Sequence, residues 1–119
     1  MSKELNDYLD ALEWGLDSLA GELHETAKEK GFWDYEVNFI FSAKQIAMIH
    51  SEATEVLEAL RKNKGEDKVV EELADIIIRV LDLWAGLKDS GLVSTSLDEA
   101  MAKKIVVNKS RERLHGVQG

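Results

Sequence analysis

There is no proline anywhere in this chain of 119 residues. Proline punctuates turns and breaks helix interiors, so a chain this long without one is free to run as long helices joined by short polar turns. Leu5, Leu9, Leu12, Leu16, Leu19 and Leu23 recur at alternating steps of four and three, the spacing of a helical seam. That spacing predicts a first helix reaching about Lys30, where Lys28 and Lys30 suit the negative end of the dipole and Gly31 caps it. Gly15 and Gly21 each weaken the helix by about 1 kcal/mol relative to alanine, which leaves room for a bend. GFWDYEVN then reads as a short aromatic loop. A second helix is expected from about Phe39 to Lys62, with Ile46, Ile49, Ala53, Val56, Leu57 and Leu60 on its apolar face. KNKGEDK, built on Gly65, is the clearest connection in the chain. A third helix follows from about Glu66 to Lys88, and its centre, Ile76 to Trp84, is apolar on almost every face. After Ser90-Gly91, Ser96-Leu97-Asp98-Glu99 is a capping box opening a fourth helix to about Arg113.

The expected fold is therefore an all-α, four-helix-bundle-type domain covering residues 1–119. Residues 1–15 form an unmatched N-terminal extension and 116–119 a frayed tail. A helix as apolar as the third is buried from several sides, which a monomer of this size hardly achieves, so self-association as a homodimer or homotetramer is expected. With 45% hydrophobic residues a real core is within reach. The absence of cysteine excludes disulfide scaffolds and thiolate metal sites. A formal charge of −8 argues against nucleic acid as a partner. The charged opening MSKELNDYLD and the lack of a long apolar run argue against a signal peptide and a membrane span. A cytoplasmic protein is expected.

The informative residues lie on the second and third helices. Glu52 and Glu55 are three apart, as are Glu72 and Asp75, which puts each pair on one helical face about 5–6 Å apart at Cβ. Both pairs sit among aliphatic residues, at the edge of the apolar face. If the helices pack antiparallel about Gly65, Glu55 and Glu72 lie at similar heights and the four acids converge. Like charges about 5 Å apart at an effective dielectric near 20 repel by roughly 3 kcal/mol per pair. Lys68, four residues before Glu72, is the one cation counted as relieving this. Hard oxygen donors with excess negative charge are what Mg²⁺ or Mn²⁺ prefers. A ferritin-like di-iron site needs two Glu-x-x-His motifs, and only Glu112 to His115 fits. His24, His50 and His115 are too scattered for a zinc site, and His50 reads as a residue at the core edge.

The run SEATE, residues 56 to 71, then ELAD resembles the MazG-like all-α nucleoside triphosphate pyrophosphohydrolases, whose signature is EExxE, a spacer of about this length, and ExxD. The resemblance implies Glu52, Glu55, Glu72 and Asp75 as ligands of Mg²⁺ (Mn²⁺ being the alternative), with Glu52 or Glu55 as the group that orients or deprotonates water. Ser51 stands where the family's first acid would be. GFWD (31–34) is similar to the aromatic loop of the branch that hydrolyses dCTP and related triphosphates. There a histidine nine residues before the tryptophan joins it at the base, and His24 and Trp33 keep that spacing. KIVVNKSR is similar to the family's basic-and-amide segment. Lys104, Asn108 and Arg111 fall at i, i+4 and i+7, one helical face aimed at phosphate or sugar. The expected function is Mg²⁺-dependent hydrolysis of a (deoxy)nucleoside triphosphate to monophosphate and pyrophosphate, a nucleotide-pool housekeeping role. The alternatives are a non-catalytic helical scaffold, or the same chemistry on dUTP or phosphoribosyl-ATP.

Overall fold

The computed structural model describes Lys3 and residues 14–111. Leu5, Leu9, Leu12, the Glu112/His115 pair, Arg113 and the expected frayed tail lie outside the described residues. Four α-helices and no strand are found among the described residues: α1 (Leu16–Glu29), α2 (Phe39–Arg61), α3 (Glu66–Asp89) and α4 (Leu97–Ser110). The protein is all-α, as its spacing requires. Helix α3 is the centre, packed against both α1 and α2, while α4 meets α1. The boundaries of α2 and α3 fall within a residue of those expected. The Asn38 side chain caps α2 by accepting from the Phe41 amide at 2.9 Å.

The leucine seam does not run through as one helix. Gly15 has φ of 108°, a left-handed conformation that glycine tolerates and other residues do not, and α1 begins only at Leu16. The reason is a long-range cap. The Asp98 carboxylate, from the start of α4, accepts from the Leu16 amide at 2.7 Å and the Asp17 amide at 3.1 Å. In return the Asp17 carboxylate accepts from the Asp98 amide at 2.9 Å. Each helix supplies an anion to the other's positive end. Burial alone would raise the Asp17 carboxyl. Hydrogen bonds from Ser96 and the Asp98 and Leu97 amides outweigh burial and hold it below its ordinary 3.8. A Cβ on Gly15 would stand 2.8 Å from an Asp98 oxygen, so the approach also needs glycine. The capping box forms by half: Ser96 Oγ accepts from the Glu99 amide, while the Glu99 carboxylate pairs with Lys103.

The core is small. Ala20, Leu81 and Ala85 are buried, with Leu16, Leu19, Leu23, Trp84 and Leu97 packed around them. Small residues at the α1–α3 contact let the two backbones approach closely. The apolar face expected on α2 divides in two. Ile49 and Val56 turn inward, beside buried Ala59, which was not placed on that face, while Ile46, Ala53, Leu57 and Leu60 are exposed. On α3 the expected all-round burial is not met within one chain, since Val70, Leu73, Ile77 and Val80 are also exposed. His50 is exposed and not at a core edge. Helix α4 stops at Ser110, short of Arg113. Its last turn tightens as the Arg111 amide bonds Asn108, and Ser110 Oγ folds back onto the Val107 carbonyl. Arg111 is left extended at the C-cap, with φ −75° and ψ 149°, off the helical face that Lys104 and Asn108 share.

Candidate metal centre and aromatic cavity

The antiparallel turn at Gly65 brings α2 and α3 together as the acid spacing requires. Glu52 of α2 and Glu72 and Asp75 of α3 offer carboxylate oxygens that all lie within 4.8 Å of one another. Glu72 is buried, and Glu52 and Asp75 are half-buried. Glu55, one turn beyond Glu52, is exposed and stands outside this group. Burial is the leading cause that raises the Asp75 carboxyl above its ordinary value, helped by the charges of Glu52, Glu72 and Glu71 and opposed by Arg79. The residues present fit a divalent cation. The donors are hard oxygens from two rigid helices, and one of them, Asp75, is pushed toward its neutral form by burial and by its acidic neighbours.

Part of that charge is already answered by protein. Lys68 Nζ pairs with Glu72 at 2.9 Å, as its spacing implies. Arg79 is the residue that sequence reasoning missed. It lies four residues after Asp75, and its Nε donates to Glu52 Oε1 at 3.0 Å. Asp82 was missed as well. Its carboxylate accepts from Trp33 Nε1 at 3.0 and 3.1 Å and meets His24 Nδ1 at 2.8 Å. The sequence did carry a signal for both. Glu72, Asp75, Arg79, Asp82, Gly86 and Asp89 follow one another at steps of three and four, a stripe that carries charge through the apolar stretch from Ile76 to Leu87.

Two cavities open along this stripe. One, of about 820 Å³, is walled by Trp33, Tyr35, Phe41, Lys44, Gln45 and Met48 among others. The other, of about 350 Å³, contains Glu52, Asp75 and Lys30 in its wall. Phe32, Arg79 and Asp82 line both, so the aromatic end and the acidic end meet at these three residues. Trp33 lies against Gly86, where a Cβ would overlap the indole. Phe41 stands 5.1 Å from Trp33 between ring centroids, and His24 meets it edge-on at 4.8 Å. His24 is 4% exposed and lines neither cavity, with its second nitrogen 3.3 Å from Asp89. Any influence of His24 on a ligand therefore passes through Trp33 and Asp82. Lys104, Asn108 and Arg111 are exposed on or beside α4, line neither cavity, and are not brought to the acids within one chain.

Fold and site together define an all-α protein with a carboxylate cluster suited to a divalent cation beside an aromatic cavity of nucleotide size. The family model for the MazG nucleotide pyrophosphohydrolase domain matches residues 42–116, a span that contains α2 from its fourth residue onward and all of α3 and α4. The chain belongs to that family, which is generally divalent-metal dependent and points to nucleotide pyrophosphohydrolase activity. No curated protein and no solved structure matches the chain.

Proposed function

We propose that the protein hydrolyses a (deoxy)nucleoside triphosphate to the monophosphate and pyrophosphate in a Mg²⁺-dependent reaction, serving nucleotide-pool housekeeping. The observation that carries this reading is the Glu52/Glu72/Asp75 cluster, two of whose acids line a cavity that shares Phe32, Arg79 and Asp82 with the aromatic one, in a chain of the MazG family. An acidic protein meets a polyanionic substrate only through positive charge. Bound at the cluster, a divalent cation supplies Lewis-acid neutralisation of phosphate oxygens. Glu52, Glu72 and Asp75 hold it. Glu52 or Glu55 orients or deprotonates the attacking water; Glu52 belongs to the cluster, while Glu55 is exposed one turn along and lines neither cavity. The base packs against Trp33, whose ring Asp82, His24 and Phe41 hold in place. The triphosphate runs past Arg79 toward the acids. Lys104, Asn108 and Arg111 are outer phosphate contacts only in an assembly where α4 covers the site.

Self-association belongs to the same proposal. Ile46, Ala53, Leu57 and Leu60 on α2, and Val70, Leu73, Ile77 and Val80 on α3, form two exposed apolar stripes with helical-seam spacing. Leu57 and Leu60 are 61% and 60% exposed, a burden that a second copy removes. Light scattering that returns the 13.4 kDa monomer at micromolar concentration would refute this part. The enzymatic reading is tested by a panel of ribo- and deoxynucleoside triphosphates with Mg²⁺, with pyrophosphate release as readout. Release with at least one triphosphate, abolished by EDTA, is the expected result. No release across the panel would leave the scaffold reading, which has no use for clustered acids.

A further inference from the structure

Arg79 stands where the two cavities meet, and a metal centre by itself gives it no task. Its Nε donates to Glu52 Oε1 at 3.0 Å, and Nη1 reaches the Met48 sulfur at 3.8 Å. A guanidinium carries five N–H donors, so these contacts leave most of them without a protein acceptor among the described residues. The side chain is 35% exposed, and its partner Glu52 is 19% exposed, so the pair is sheltered yet open to the cavities. Glu52 is also one of the three acids that offer oxygens to a common point. A divalent cation entering the cluster draws on the carboxylate that Arg79 now neutralises. Once that charge is taken, the guanidinium has lost its hydrogen-bonded carboxylate and stands between the acidic and aromatic ends with donors to spare. It is already in the wall of both.

No other cation among the described residues shares this position. Lys68 pairs with Glu72 along the same helix and lines neither cavity, while Lys30 and Lys44 each line only one. We propose that Arg79 is a two-position cation: the counter-ion of Glu52 before a divalent cation binds, and a donor to a phosphate oxygen of the nucleotide afterwards. This rests on the pyrophosphohydrolase reading and adds to it a charge exchange that couples metal loading to substrate phosphate. A planar fork of donors suits both partners, carboxylate first and phosphate second.

The two halves of the exchange make opposite demands on a variant that lacks the charge. Calorimetric titration of Mg²⁺ alone into Arg79→Met should show binding roughly 3- to 10-fold tighter than wild type, because a competing positive charge has gone. Titration of inorganic tripolyphosphate at saturating Mg²⁺ should show binding at least about tenfold weaker. Arg79→Lys keeps the charge but not the fork, so its Mg²⁺ affinity should stay near wild type while tripolyphosphate binding remains weakened. That variant also decides the matter if Arg79→Met does not fold, as judged by circular dichroism. A purely structural Arg79 would weaken both ligands together or neither, and either result overturns the proposal. If wild type binds Mg²⁺ and releases pyrophosphate while the variants bind both ligands as it does, the Arg79 proposal alone fails. If wild type binds no Mg²⁺, the pyrophosphohydrolase reading fails and this proposal fails with it.

Discussion

Replacing Asp75 by asparagine should stabilise the protein without metal and remove most of its response to metal. The side chain keeps its shape and volume, so packing between α2 and α3 is undisturbed and only charge changes. Carboxylate oxygens of Glu52, Glu72 and Asp75 lie within 4.8 Å of one another. At that separation and an effective dielectric near 20, unit charges repel by about 3.5 kcal/mol. Arg79 and Lys68 offset the two glutamates, and water reaches half-exposed Asp75, so about a third of this, roughly 1 kcal/mol, is the realistic relief. For a chain of this size that corresponds to a melting temperature about 3–5 °C above wild type in EDTA. Mg²⁺ at about 100 times its dissociation constant should add roughly 2.7 kcal/mol to wild type and less than half of that to Asp75→Asn, so the order of stability inverts. Thermal unfolding followed by circular dichroism, at one protein concentration with and without metal, reads all four values. A variant melting at or below wild type in EDTA, or gaining as much from Mg²⁺ as wild type does, would refute the electrostatic account of the cluster.

Asp98→Ala should cost about 1–2 kcal/mol in chemical denaturation, because it uncaps α1 and removes the anion held at Leu16 and Asp17; Asp98→Asn should recover part of that. Gly86→Ala should destabilise by about 1–3 kcal/mol and shift the fluorescence of Trp33, since the new methyl must displace the indole from α3. Acidification without metal should act in two stages. Asp75 titrates above its ordinary 3.8 in the folded state, so stability rises slightly as pH falls through that raised value. Asp17 titrates below 3.8, as does Asp89, held down chiefly by its hydrogen bond from Lys28. The stability these two contribute is present above 3.8 and is lost as pH falls through their lowered values. In an unfolding series against pH, Asp75→Asn should lose the first stage and keep the second.

What was legible in the sequence follows from range. Helices α2 and α3 announce themselves through spacing and a glycine turn, all signals that act within a few residues, and their bounds are met within one residue. Three of the four acids were legible for the same reason, since antiparallel packing about Gly65 brings Glu52 to Glu72 and Asp75; the expected convergence of Glu55 is not met, because it is exposed one turn along. The start of α1 was not. Its cap comes from Asp98, 82 positions from Leu16, and no local pattern around Gly15 shows that a carboxylate will arrive there. Arg111 was misplaced by the opposite failure, because a serine at the end of α4 took up a carbonyl that helix periodicity assumes stays in the ladder.

Arg79 and Asp82 were hidden by a different habit of reading, in which a run such as Ile76 to Trp84 is judged by how apolar it is on average. Helix α3 is better taken as two stripes. Val70, Leu73, Ile77 and Val80 form an apolar line left exposed in one chain. Glu72, Asp75, Arg79, Asp82, Gly86 and Asp89 form a line that passes the cluster, the shared wall of the two cavities, the indole of Trp33 and the contact between His24 and Asp89 in turn. A charged residue set among apolar neighbours is expensive to leave without a partner, so Arg79 and Asp82, in the apolar middle of the helix, mark where another element supplies a polar group. Asp82 finds Trp33 and His24, and Asp89 finds His24 and Lys28. Arg79 finds Glu52, which the acid cluster also claims. That one carboxylate is contested by two kinds of cation, and it is this competition that makes the polar line of α3 more than a set of satisfied ion pairs.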